Sequence, residues 1–299
     1  MEHSFTSIIQ TTLEKHFKEN ADTIFSLNDL LKYINIKTRS AEKGSKSRGS
    51  FANLYAIYVL LEDYKKNGFE EKENYSKYEG AFFSNLLKRQ RELPFGSKLQ
   101  NHALNHRLNE EFKKYFPISD LPIIRDAESN RYWINENLIK AKINGQSYNL
   151  CSSIIEIIDA YIKTKKNALE KFIYDCEKLK EIVDSENETV KEYLFSLLAP
   201  NVDARLFEIV SYSILKYFFQ NQTIYWGYEI EKIEKENLKL YKTGRTNAND
   251  GGIDFVMQPL GRFFQVTETL DVTKYFLDID KIERYPLTFI VKSNESSEN

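Results

Sequence analysis

An aspartate stands inside an apolar run near the C-terminal end, Ile253-Asp-Phe-Val-Met257, entered through Gly251-Gly252. A short apolar run bounded by glycines reads as a strand. A carboxylate within such a strand is costly unless a cation or hydrogen bonds compensate it. Gln265 holds a similar place in Phe263-Phe-Gln-Val-Thr267. Strand alternation puts Gln265 and Thr267 on one face and Phe264 and Val266 on the other. Two neighbouring strands can therefore converge Asp254, Gln265 and Thr267 on one edge. Oxygen ligands at a convergent edge, without Cys or His, suit a hard cation such as Mg²⁺.

The elements around that pair have their own rhythm. Arg205–Phe219 reads as a nearly all-apolar helix interrupted by Glu208. Strands are expected over Thr223–Ile230, Leu238–Tyr241, Gly252–Gln258 and Arg262–Glu268, with a turn at Pro259-Leu-Gly261. A helix over Thr273–Tyr285 and a strand over Leu287–Val291 follow, then a polar tail, Ser293–Asn299. The first half reads differently. Helical stripes run over Phe5–Phe17 and Phe51–Tyr64, Ser26 offers a helix cap, and the pattern loosens into short strands and turns between Leu121 and Ser147. From Ser152 to about Leu198 the chain is helical and heavily charged, and Ala199-Pro-Asn-Val-Asp203 is the best boundary. The expected organisation is a helix-rich region over 1–150, a charged helical connector over 151–203, and an α-β-β-β-α-β domain over 204–299. The fold class is α+β or α/β.

Gly-Gly-Ile-Asp254 followed by Gln265-Val-Thr resembles the PD-(D/E)xK nuclease superfamily, in particular its Mrr-type branch with GGxD and then QxK. The resemblance covers Arg205–Val291 and implies a restriction-endonuclease-like core using Mg²⁺. It assigns Asp254 as the metal-binding aspartate, Gln265 as the E/Q position and Glu208 as the helix glutamate, these three being the metal ligands. Thr267 stands where the family has lysine. Glu268 turned inward at a bulge, or Lys242 or Lys274 from nearby, can complete the site, or metal-bound water needs no lysine. Arg245 can assist charge stabilisation. The stretch Ser45–Tyr64 is similar to one in bacterial restriction enzymes. Together these imply a type II restriction endonuclease: sequence-specific cleavage of double-stranded DNA, a cognate DNA methyltransferase as genetic partner, and a homodimer matching palindromic DNA. The alternatives are a catalytically impaired DNA-binding module, or a repair or modification-dependent (type IV) nuclease.

DNA needs a basic face rather than a basic average, so 42 Lys and Arg against 44 Asp and Glu exclude little. Lys37, Arg39, Lys43, Lys46 and Arg48 oppose only Glu42 in a Ser- and Gly-containing break, composed either as a solvated linker or as a phosphate-gripping loop. Lys88, Arg89, Arg91 and Lys98 form a second patch. It leads into Gln100–Arg107, where Arg107 and its polar neighbours suit either base edges or an ordinary helix surface. His102 and His106 stand at i and i+4 and are read as structural or exposed. Cys151 and Cys176 are too few for a disulfide framework and read as reduced core thiols of a cytoplasmic protein. Trp133 and Trp226 are expected in the core. Neither a membrane span nor a secretory signal is expected.

Overall fold

A computed structural model describes residues 2–41, 48–71, 74–182, 188–198, 204–243, 253–267 and 272–292. The chain divides into two compact units, 1–171 and 172–299. That division falls inside the long helix that opens the expected connector, so 151–203 is shared between both units. No helix among the described residues is long and apolar enough to cross a membrane.

Unit one opens with α1 (Thr6–Phe17), α2 (Ala21–Leu27) and α3 (Asp29–Thr38). Ser26 lies inside α2 rather than capping a helix. The cap is Asn28, whose Oδ1 accepts from Leu31 N at 2.9 Å, because only Asn28 has the extended backbone that aims a side chain at the first turn. Helix α4 (Arg48–Lys66) has every residue from Phe51 to Leu61 buried. A helix apolar on all sides belongs at the centre of a bundle, and α4 takes that place in the core.

Short elements surround α4: β1 (Ala81–Phe82), α5 (Phe83–Glu92), a π-turn at Ala103–Arg107, and α6 (Leu108–Tyr115). Strands β2 (Ile123–Asp126) and β3 (Arg131–Ile134) join β1 in an antiparallel sheet ordered β1-β3-β2. After α7 (Glu136–Ile139), β4 (Lys140–Ile143) and β5 (Gln146–Asn149) form a hairpin. Its turn is Asn144-Gly145, both at positive φ (49° and 81°), the pair that a tight right-twisted hairpin demands. Helix α8 (Cys151–Ile182) then crosses into unit two.

Unit two continues with α9 (Glu188–Leu197) and α10 (Ala204–Phe219). A separate ribbon pairs β6 (Thr223–Trp226) with β7 (Glu234–Asn237). Trp226 is a correction to the core expectation: it is 37% exposed on this ribbon, its indole donating to Glu236 Oε2 at 2.7 Å. Then come β8 (Lys239–Lys242), β9 (Phe255–Gln258), β10 (Arg262–Thr267), α11 (Val272–Ile282) and β11 (Leu287–Val291). The four strands form one mixed sheet, β11-β10-β9-β8, in which only β10 and β11 run parallel. Gly261, at φ +66°, reverses the chain between β9 and β10. Phe255 and Phe264, paired in register, meet Tyr212 and Phe219 of α10. Phe289, in register with Gln265, meets Tyr275 of α11 at 4.5 Å. One face of the sheet therefore serves α10 and the other α11.

Candidate active site

The ladder between β9 and β10 changes character at Asp254. Phe264 pairs with Phe255, and Asp254 N donates to Phe264 O at 3.2 Å. One step further the side chain takes over: Asp254 Oδ2 accepts from Val266 N at 2.7 Å. The carboxylate thus sits at the seam where the strands part, held against the backbone between Gln265 and Thr267. An ionised acceptor bonded to a backbone amide makes one of the stronger hydrogen bonds. The carbonyl of Asp254 is also engaged, accepting from Thr243 N at 3.1 Å, which ties β8 to the same point.

Gln265 and Thr267 share the face that Phe289 places toward α11, while Phe264 and Val266 join the apolar layer beside α10. The expected alternation is present. Gln265 is 7% exposed and Thr267 is 5% exposed. The Gln265 Oε1 atom is buried and has no hydrogen-bond partner among the described residues. A buried amide oxygen left without a donor is costly and is a ready ligand for a hard cation. Asp254 and Gln265 therefore fit Mg²⁺: one carboxylate just before β9 and one amide oxygen on the adjoining β10.

Glu208 pairs with a lysine of the sheet. It lies on α10, and its Oε1 meets Lys242 Nζ at 3.4 Å, both side chains being about two-fifths exposed. Lys242 also lies over the rings of Tyr212 and Phe255, on the face that serves α10. So the seam holds Asp254, one face holds Gln265 and Thr267, and the other holds Glu208 with Lys242. Glu268 and Arg245 lie outside the described residues, and the side chain of Lys274 is not described. Among the described residues no group of three or more His, Cys, Asp and Glu side chains gathers in one place. The Asp254–Val266 bond was not foreseen from sequence. Its one signal is the polar residue inside an apolar strand, which says that a partner exists without saying which.

The basic residues divide by partner. Lys37 is largely buried and meets Glu111 Oε1 at 2.6 Å. Arg89 grips Glu62 through Nε and Nη2 at 2.8 and 2.7 Å, and that carboxylate holds its guanidinium charge above its usual range. Arg91 is exposed and donates to Leu99 O at 3.2 Å. Arg39, Lys88, Lys98 and Arg107 are exposed. Lys43 and Lys46 lie outside the described residues, and Arg48 begins α4 with its side chain not described. His102 and His106 are exposed, their rings edge to face at 5.9 Å. Burial pushes the Cys151 thiol up to about 12, as suits a packing residue rather than a nucleophile. The side chain of Cys176 is not described. No family model matches the chain, and no curated protein or solved structure matches it either.

Proposed function

We propose that the chain is a Mg²⁺-dependent, sequence-specific endonuclease of double-stranded DNA, of the type II restriction class. One observation carries the reading: the Asp254 carboxylate is clamped to β10 beside a buried Gln265 oxygen that lacks a donor. After α10 and the β6–β7 ribbon, the run β8, β9, β10, α11, β11 around that pair is compatible with the α-β-β-β-α-β arrangement that the resemblance implies, and it supports the same reading.

Asp254 and Gln265 would hold the metal, which when bound lowers the pKa of water and stabilises charge on a phosphoryl oxygen. The chain's own residues do the positioning. Val266 N–H fixes one carboxylate oxygen of Asp254, and the Thr243 amide fixes its main chain. Burial of Gln265 between strands limits its rotamers. Lys242, paired with Glu208, directly precedes the Thr243 whose amide bonds the Asp254 carbonyl, and can lend positive charge there.

Thr267 favours a second reading, a nuclease fold that grips DNA without cutting it. Plasmid DNA incubated with the protein and Mg²⁺ separates the two. Discrete fragments that disappear on chelation support the enzyme, and cutting only of methylated plasmid supports a modification-dependent nuclease. Duplex binding without any cleavage supports the binding module. Within the nuclease reading, Asp254→Ala abolishes cleavage and leaves duplex binding largely intact. Cutting by this variant at the wild-type rate overturns the site.

A further inference from the structure

Helix α11 carries a carboxylate where its pattern calls for an apolar side chain. Its inward stripe is the half-buried Tyr275, then Asp278 and Ile282, spaced i, i+3 and i+7. Asp278 is 5% exposed, whereas Phe276, Leu277 and Ile279 of the same helix are exposed. An acid inside and aromatic and aliphatic groups outside is the reverse of what solvation alone would choose.

The stripe lies on the sheet. The Tyr275 ring meets Phe289, and just beyond the helix the Tyr285 ring meets Phe263 at 5.7 Å. Asp278 falls between those two contacts. It therefore stands over the part of the face that runs from Phe289 and its register partner Gln265 to Phe263. Asp254 reaches the edge of the same layer, its carboxylate bonded to Val266 N between Gln265 and Thr267.

A carboxylate buried in an apolar layer is costly unless a cation or hydrogen bonds offset it. The Gln265 Oε1 atom, without a donor among the described residues, carries a cost of its own. An ionised carboxylate cannot relieve an amide oxygen, because both only accept. A hard cation relieves both, since Mg²⁺ gathers about six oxygen ligands. A carboxylate offers about four lone pairs, so Asp278 can keep a protein donor and still ligate.

We propose that, in the metal site of the nuclease reading on which this rests, Asp278 is a third oxygen ligand of the divalent cation, joining Asp254 and Gln265 from α11. The bound ion then ties α11 to the seam between β9 and β10, and all of these residues belong to unit two.

The test uses the full chain and Tb³⁺, a hard cation whose emission is excited through a neighbouring tyrosine. Tyr275, three residues before Asp278, is the expected sensitiser, and excess Mg²⁺ suppresses the signal. Asp278→Asn, which keeps the size and removes the charge, weakens Tb³⁺ and Mg²⁺ binding by roughly tenfold or more. Mg²⁺ raises the thermal midpoint of the wild type and fails to raise that of the variant. A purely structural acid would lower the midpoint by the same amount with and without metal. Asp278→Ser gives a second reading if the first variant does not fold. In the wild type, where no variant has to fold, Mg²⁺ slows hydrogen exchange of the α11 amides more than Na⁺ at equal ionic strength does. Unchanged metal affinity in Asp278→Asn, α11 exchange indifferent to Mg²⁺, or a wild type that binds neither ion overturns the proposal. Cleavage and metal binding that both survive Asp278→Asn sink Asp278 alone, whereas metal binding that needs Asp278 in a protein that cuts no DNA sinks the nuclease reading alone.

Discussion

The amide oxygen of Gln265 is buried without a donor among the described residues, and an acceptor left so costs about 1–3 kcal/mol. Methionine has similar length and no such oxygen. Gln265→Met is therefore expected to raise stability by about 1 kcal/mol in urea unfolding. The same change is expected to slow single-turnover cleavage at least tenfold, about 1.4 kcal/mol in the barrier. Unchanged cleavage by this variant would show that the amide is not a ligand and that the strand chemistry lies elsewhere. Thr267→Lys is expected to retain or raise metal-dependent cleavage, because it sets a cation on the face that Gln265 occupies; a total loss of rate counts against that register. At this scale the sequence was informative where a residue broke its local pattern. Gln265 lies within β10 as expected, whereas Asp254, expected inside a strand, stands just before β9, its carboxylate bonded to the Val266 amide. The Lys242–Glu208 pair was less legible, since its partners are 34 residues apart and meet only once α10 packs on the sheet.

Elements differ in how much of their stability comes from burial. Leu60 in α4 is 0% exposed, while Ile214 in α10 is 52% exposed. Leu60→Ala is expected to cost about 2–5 kcal/mol, whereas Ile214→Ser stays within about 0.5 kcal/mol of the parent. Urea unfolding of both variants checks the contrast, and similar costs would mean that α4 is not the central helix. Periodicity made α1, α4 and α10 legible, and the strands from β8 to β11 appear close to their expected bounds. The Asn144-Gly145 stretch was read only as loose strands and turns, and the hairpin it closes is a finding of the structure. Strand β7 was illegible for a physical reason: Glu234-Lys-Glu-Asn237 has no apolar alternation, and it becomes a strand only by pairing with β6. The helix cap went to Asn28 rather than Ser26 because capping depends on backbone geometry, which residue type alone does not reveal.

Across the whole molecule the near-balanced charge of −2 conceals an uneven distribution of titrating groups. Tyr33, Tyr55, Tyr58, Tyr64, Tyr75 and Tyr78 all lie in unit one, and burial is the first cause that raises each phenol above its ordinary range. Tyr78 is raised further by the hydrogen bond its hydroxyl donates to the carboxylate of Asp63. The unfolded chain releases these protons near the ordinary phenol pKa of about 10, whereas the folded chain keeps them. Above that pH the folded state therefore binds more protons, and stability falls as pH rises. The stabilisation is fully present below about pH 10 and is lost progressively above it. Each such phenol steepens the decline by at most about 1.4 kcal/mol per pH unit. Urea midpoints are accordingly expected to hold between about pH 8 and 9 and to drop steeply by about pH 11, with tyrosinate absorbance rising together with unfolding. Tyr78→Phe removes one of these protons from the balance and so flattens the alkaline slope, whatever it does to stability near neutrality. A midpoint that stays level through pH 11, or a slope that Tyr78→Phe leaves unchanged, would mean that these rings reach solvent in the folded protein and that unit one is not packed around them.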